Sequence, residues 1–216
     1  MTAPYLPPVM SDIVIDISHH KNISPDFAET ASQPDANGNT VAAVMLKATQ
    51  GTGFIDPTFL DRAAEAKDAG LLVGAYHFLD SSDPAAQAAH FLTVALSEAG
   101  VRWLALDWEP YPPSQASVMQ AATAAASIQA ATGAWPVIYM IRSMLLAPNK
   151  TLSNCPLWLA EYGTRPILPP GFSRWLLWQH TDGQVGPAAT PVPGIGPCDR
   201  SRFAGSPSDL AAWWTR

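Results

Sequence analysis

Short, nearly continuous runs of Val, Ile, Leu and Ala recur along this chain with helix-start and turn chemistry between them. Such runs at Asp12–Ile17, Val41–Ala48, Leu71–Phe78 and Val101–Leu106 read as strands buried on both faces. Further strands are expected at Pro136–Met140, Pro156–Ala160, Trp175–Gln179 and Cys198–Phe203. Asp56-Pro57 and Asp83-Pro84 place an acid before a proline, the pairing that opens helices. They predict helices over Pro57–Ala69 and Pro84–Ala99, ended by Gly70 and Gly100. Ser114 is the expected cap of an Ala-rich third helix that runs to Thr132 before Gly133. Strand, helix, strand at this spacing is the pattern of right-handed parallel units, and eight such strands suggest a closed barrel. Between Trp158 and Phe203 the pattern changes to proline-rich loops without an amphipathic helix. The expected fold is therefore α/β: an irregular TIM-like (β/α) barrel with eight strands and helices missing from its second half. Residues 1–10 read as an N-terminal extension, residues 11–216 as one barrel, and Asp209–Trp214 as a short closing helix.

Composition narrows the function. With 12 Lys and Arg against 18 Asp and Glu, the formal charge is −6, which argues against a nucleic-acid partner. No run approaches the roughly 20 apolar residues of a membrane span, so no membrane partner is expected; a monomer is. Met1–Met10 holds no Lys or Arg and no long apolar run, and does not read as a secretory leader. Cys155 and Cys198 make no disulfide framework; each lies beside an apolar segment and reads as unbridged, with a single bridge between them left open.

In parallel barrels the chemistry sits at the C-terminal strand ends. There the first strand carries Asp16, the third Tyr76-His77-Phe78, and the fourth runs into Asp107-Trp108-Glu109. The sixth carries Trp158 and then Glu161-Tyr162, the seventh Trp178-Gln179, and Asp199 lies near the start of the last. Asp107 and Glu109 are two apart on an extended segment, so alternation puts both carboxylates on one face, roughly 6–7 Å apart at Cα. Glycosidic cleavage needs such a pair, one acid to protonate the leaving oxygen and one carboxylate to stabilise or attack the developing cation. Repulsion between them raises one pKa, which keeps an acid protonated for the task. Alone, a D-x-E reads equally well as two solvated acids, and each single aromatic as core. Together, acids and aromatics at strand ends look like a saccharide groove. No G-x-S-x-G elbow or H-E-x-x-H pair is present, His19-His20 read as ordinary loop histidines, and Gly51-Thr52-Gly53 reads as a turn.

These residues resemble glycoside hydrolase family 25, the Chalaropsis-type lysozymes. The resemblance runs from Ile15 to about Phe203 and rests on five pieces. They are Asp16-Ile17-Ser18, Lys47-Ala48-Thr49-Gln50-Gly51, Gly74-Ala75-Tyr76-His77-Phe78, Leu106-Asp107-Trp108-Glu109 and Trp158-Leu159-Ala160-Glu161-Tyr162, followed in order by Trp178-Gln179 and Asp199. It implies hydrolysis of the β-1,4 bond after N-acetylmuramic acid in bacterial peptidoglycan, with no metal or other cofactor. It implies Glu109 as general acid and Asp107 as its partner, with Asp16 and Asp199 completing an acidic catalytic cluster. Tyr76, Phe78, Trp158, Tyr162 and Gln179 are the implied sugar-binding residues. Action on the cell wall follows, and an endolysin released at host lysis fits the lack of a visible leader. Two positions depart from the family pattern: Gln50 stands where Glu is usual, and Trp108 where a smaller apolar residue is usual. A chitinase-type barrel would want D-x-x-D-x-D-x-E, but positions 102 and 105 are Arg and Ala. A sugar-binding barrel without catalysis is the remaining alternative.

Overall fold

The computed structural model describes residues 12–20, 24–98, 100–101 and 103–214; the expected extension at 1–10 lies outside them. Nine strands form one sheet: β1 (Asp12–Ile17), β2 (Thr40–Gln50), β3 (Phe54–Ile55), β4 (Leu72–Phe78), β5 (Trp103–Asp107), β6 (Val137–Ile141), β7 (Leu157–Ala160), β8 (Leu177–Thr181) and β9 (Asp199–Phe203). The order β1-β9-β8-β7-β6-β5-β4-β2 closes on itself because β1 also pairs with β2, while β3 is a two-residue partner of the end of β2. The eight-stranded irregular barrel expected from the sequence is thus present. One strand corrects the simple parallel picture: β9 runs antiparallel to both neighbours, β1 and β8. Its first residue, Asp199, therefore reaches the same barrel end as the last residues of the parallel strands.

Period-two alternation sorts the strands into two cores. Ile13, Ile15, Leu46, Leu106 and Ile138 point outward into a core shared with the helices. Val14, Met45, Trp103, Ala105, Val137, Trp158, Leu177 and Phe203 fill the barrel interior. Gly74 is needed there, since a Cβ on it would sit 2.3 Å from the Met45 sulfur and 3.1 Å from the Trp103 Cβ.

The helices are α1 (Phe27–Ser32), α2 (Phe59–Asp68), α3 (Pro84–Ala95), α4 (Val118–Thr132) and α5 (Pro207–Trp214). Among the described residues none lies between Trp158 and Phe203, as expected. The short α1, capped by Asp26 through the Glu29 N–H, was not foreseen. α5 closes the base of the barrel, with Trp214 stacked on Trp103 at 4.0 Å and its Nε1 donating to the Val73 carbonyl. Three helix boundaries differ from expectation. α2 starts at Phe59 with Thr58 at its cap, because the Asp56 carboxylate is taken up by His19 and Thr58 instead. α3 begins at its Asp83 cap as expected but ends at Ala95, short of Ala99; Ser97 Oγ takes the Val94 carbonyl, a local bond that competes with helix continuation. α4 is capped by Ser117, not Ser114, and Gln120 completes a reciprocal capping box.

The cap correction is testable. Ser117→Ala should cost about 1 kcal/mol of stability, whereas Ser114→Ala should leave the melting temperature unchanged. Thermal unfolding of both variants decides which serine starts the helix.

Outside the barrel wall, Arg200 on β9 is 1% exposed and pairs with Asp35 at 2.7 Å, with Thr190 at 3.0 Å and with the Ala188 carbonyl. It ties the proline-rich segment to the loop after α1. Cys155 and Cys198 are buried and form no disulfide. Burial pushes the Cys155 thiol up to about 12, which leaves it an inert protonated group at neutral pH.

Candidate active site

On nearly every strand the inward series that fills the interior ends, at the open end of the barrel, in a polar or aromatic group. Val14 leads to Asp16, Met45 to Lys47, Ala105 to Asp107, Val137 to Tyr139 and Leu177 to Gln179. These groups surround a cleft of about 1010 Å³ that also takes in Tyr76, Phe78, Glu109, Trp158, Tyr162 and Asp199. All four acids and all five sugar-site residues expected from the sequence thus line one cavity.

Asp107, the last residue of β5, is 7% exposed, and its Oδ1 has no hydrogen-bond partner. Burial pushes its carboxyl well above the ordinary range, reinforced by the charges of Glu109, Asp16 and Asp199 and opposed by Lys47. Burial raises Glu109 too, with Asp199 adding and Lys47 opposing. Trp108, between them, faces the outer core; it is 1% exposed and its Nε1 donates to the Ala116 carbonyl at 2.8 Å. The large residue at this position therefore pins the loop that follows β5 behind the acid pair.

The other two acids are held by a network. Gln179 Nε2 donates to the Asp16 carboxylate at 3.1 and 3.3 Å. Gln179 Oε1 accepts from the Tyr139 hydroxyl at 3.1 Å, and the Tyr162 hydroxyl lies 3.4 Å from it and 3.2 Å from Asp199 Oδ1. Gln179, at 3% exposure, is a buried fixed amide rather than an open contact. Trp158, at 2% exposure, forms floor rather than wall, its Nε1 bonded to Ser201 Oγ at 2.8 Å and its ring edge-on to Tyr139. Tyr162, at 41% exposure, and the half-buried Tyr76 and Phe78 offer ring surface to the cleft.

Sequence reading missed several members. Tyr139 was readable in principle, being two residues beyond inward-facing Val137. Tyr111, which meets Phe78 edge-on at 5.1 Å, lies in a loop with no periodicity to expose it. Lys47 lies in the Lys47-Ala48-Thr49-Gln50-Gly51 motif, where the sequence alone gives it no site role. It is 4% exposed, donates to Gln50 Oε1 at 2.7 Å and sits 4.8 Å from the Phe78 ring centroid. Gln50, the departure from the family pattern, is thus the hydrogen-bond acceptor for the ammonium. Gly51, in the expected turn, has φ +55° and leaves no room for a Cβ beside Asp80. Among the described residues, no group of three or more His, Cys, Asp or Glu is arranged to hold a metal ion.

A barrel with acids and aromatic rings around one open end has counterparts among known proteins. The chain is 31% identical over 192 residues to Lysozyme M1 of Streptomyces globisporus, covering 77% of this chain and 61% of that one. It therefore spans less than two thirds of that relative's length. The fold superposes on the bacterial lysozyme of Streptomyces coelicolor with a TM-score of 0.74 at 27% identity, covering 94% of this chain and 97% of that one. It superposes on the muramidase of Trichobolus zukalii with a TM-score of 0.75 at 27% identity, covering 94% and 98%. Residues 15–188 match the profile of glycosyl hydrolases family 25, a span from β1 into the loop before β9, and the chain belongs to that family.

Proposed function

We propose that this chain is a lysozyme: it hydrolyses the β-1,4 bond between N-acetylmuramic acid and N-acetylglucosamine in the glycan strands of bacterial peptidoglycan, and so acts on the cell wall. The observation that carries this reading is the Asp107–Glu109 pair, both carboxyls raised above their ordinary range, at the rim of an open cleft walled by aromatic rings. The family, and relatives described as lysozyme and muramidase, support it.

The roles follow from position. The two neighbouring carboxyls share one proton, and from Glu109, the less buried acid, it passes to the leaving oxygen as the glycosidic bond breaks. The substrate's acetamido oxygen attacks the anomeric carbon, and ionised Asp107 accepts the acetamido N–H and steadies the positive ring so formed. Glu109, now a carboxylate, takes a proton from water, whose oxygen opens the ring. Asp107 and Glu109 leave the chain on one face, and acids on one side of the bond suit this two-step route and net retention at the anomeric carbon better than direct attack from the far face. Asp16 and Asp199, fixed through Gln179 and Tyr162, keep the cluster negative and hold the proton on the pair.

The test is digestion of purified, protein-free peptidoglycan in excess chelator, with release of new reducing ends as the readout. Steady release supports a metal-independent hydrolase. Binding without release supports the alternative, a sugar-binding barrel. The pH profile supplies a further check. The two limbs report the first and second ionisations of the Asp107–Glu109 pair, which holds one proton in its active form. Because burial and Asp199 raise Glu109, the alkaline fall in kcat/KM should lie above 4.5, the value of an ordinary glutamate. A fall at or below that value would contradict Glu109 as the acid.

A further inference from the structure

The β1–β2 side of the cleft differs in charge from its centre. Lys47, His19 and His20 line it, and they are the cationic or protonatable nitrogen groups among the lining residues. The His19 and His20 rings lie 4.0 Å apart, and His19 also packs on Phe54 at 5.2 Å. Lys47 lies 5.7 Å from the same Phe54 ring, so one aromatic side chain joins the ammonium and the histidines. Of the two histidines, His19 is held in place. Asp56, 2% exposed, accepts both the His19 backbone N–H at 2.9 Å and its Nδ1 at 2.7 Å, while its other oxygen is filled by Thr58. With Nδ1 committed, His19 turns Nε2 away from Asp56. His20 is exposed; desolvation, His19 and Lys47 disfavour its charged form, and Asp56 opposes them in part.

Nitrogen groups that repel one another on one side of an otherwise acidic cleft, with His19 fixed on Asp56, form a receptor for an anion. An arriving carboxylate relieves the repulsion and gains charge-assisted hydrogen bonds. A glycan carrying N-acetylmuramic acid brings such a group on its lactyl ether, as a free carboxylate or as the acidic stem peptide attached there. We propose that His19, His20 and Lys47 form a subsite for a carboxylate borne on the glycan, so that this side of the cleft selects acidic over uncharged strands. This deepens the lysozyme reading and rests on it for the identity of the glycan.

Equilibrium binding separates the two ideas, because it needs no turnover. The probe is the disaccharide N-acetylglucosaminyl-β-1,4-N-acetylmuramic acid, whose internal bond is not the one this chain is proposed to cut. It is titrated with a free lactyl carboxylate and with a stem peptide attached, each beside its methylamide form. The wild-type chain should bind at least one carboxylate form about tenfold more tightly than its methylamide, the size of a hydrogen bond to a charged group. His20→Gln, an exposed substitution that the fold tolerates, should erase that ratio, and His19→Gln should reduce it. The form that shows the preference identifies the source of the carboxylate. Equal binding of acid and methylamide by the wild type, no binding of either, or a preference that survives both substitutions would overturn the subsite. A chain that binds the carboxylates selectively yet releases no reducing ends from peptidoglycan would keep the subsite and lose the lysozyme assignment.

Discussion

Glu109→Gln is expected to lower peptidoglycan hydrolysis by about 10²–10⁴-fold, the usual contribution of a general acid. The amide keeps the shape of the side chain but has no proton to give the leaving oxygen and no basic oxygen with which to activate water. Glu109 is only partly buried, so the fold should survive, and glycan binding with it. Removing one of the charges that raise Asp107 should also let Asp107 ionise at lower pH. The measurement is release of reducing ends beside the melting temperature. A variant that clears cell wall within twofold of wild type would remove Glu109 from the mechanism.

Asp107→Asn should separate activity from stability. Its hydrolysis is expected to fall by about 10²–10³-fold, as when a preorganised charge stabiliser is lost. Its stability should move the other way. Burial first, then Glu109, Asp16 and Asp199, raise the Asp107 carboxyl above its unfolded value of 3.8. A carboxyl raised in the folded state binds its proton more tightly there than in the unfolded chain. The stability this brings is complete below the unfolded pKa and is lost as pH rises through the folded one. The amide carries no charge and escapes that loss. The variant should therefore melt at the same temperature as wild type near pH 3 and at a higher temperature near pH 7. Equal melting at both pH values would mean that Asp107 is not held unfavourably in the folded state.

Much of this site was legible because alternation links the core to the cleft. Once β5 is recognised, the inward positions that bury Trp103 and Ala105 carry Asp107, and Glu109 follows at the same spacing. Asp16 and Gln179 follow in the same way from Val14 and Leu177. Other features depend on partners distant in sequence. The antiparallel sense of β9 brings Asp199 to the rim, and nothing in Asp199–Phe203 fixes strand direction, which closure against β1 and β8 decides. Asp56-Pro57 resembled a helix start, yet His19, 37 positions away, claims the Asp56 carboxylate. His19 reads as a loop residue for the same reason: its support on Asp56 and Phe54 exists only after the barrel has closed. Ser114 and Ser117 both suit a cap locally, and Gln120 three residues after Ser117 was the signal that distinguishes them.

The proposed reaction cuts the glycan on the reducing side of N-acetylmuramic acid with assistance from Asp107. Time-resolved proton NMR of the new reducing ends, recorded during digestion and before mutarotation, tests it most directly. The expected result is an anomeric signal of N-acetylmuramic acid that appears first as the β form. A reducing end of N-acetylglucosamine would contradict the proposed bond, and an initial α signal would contradict the assisted, retaining route.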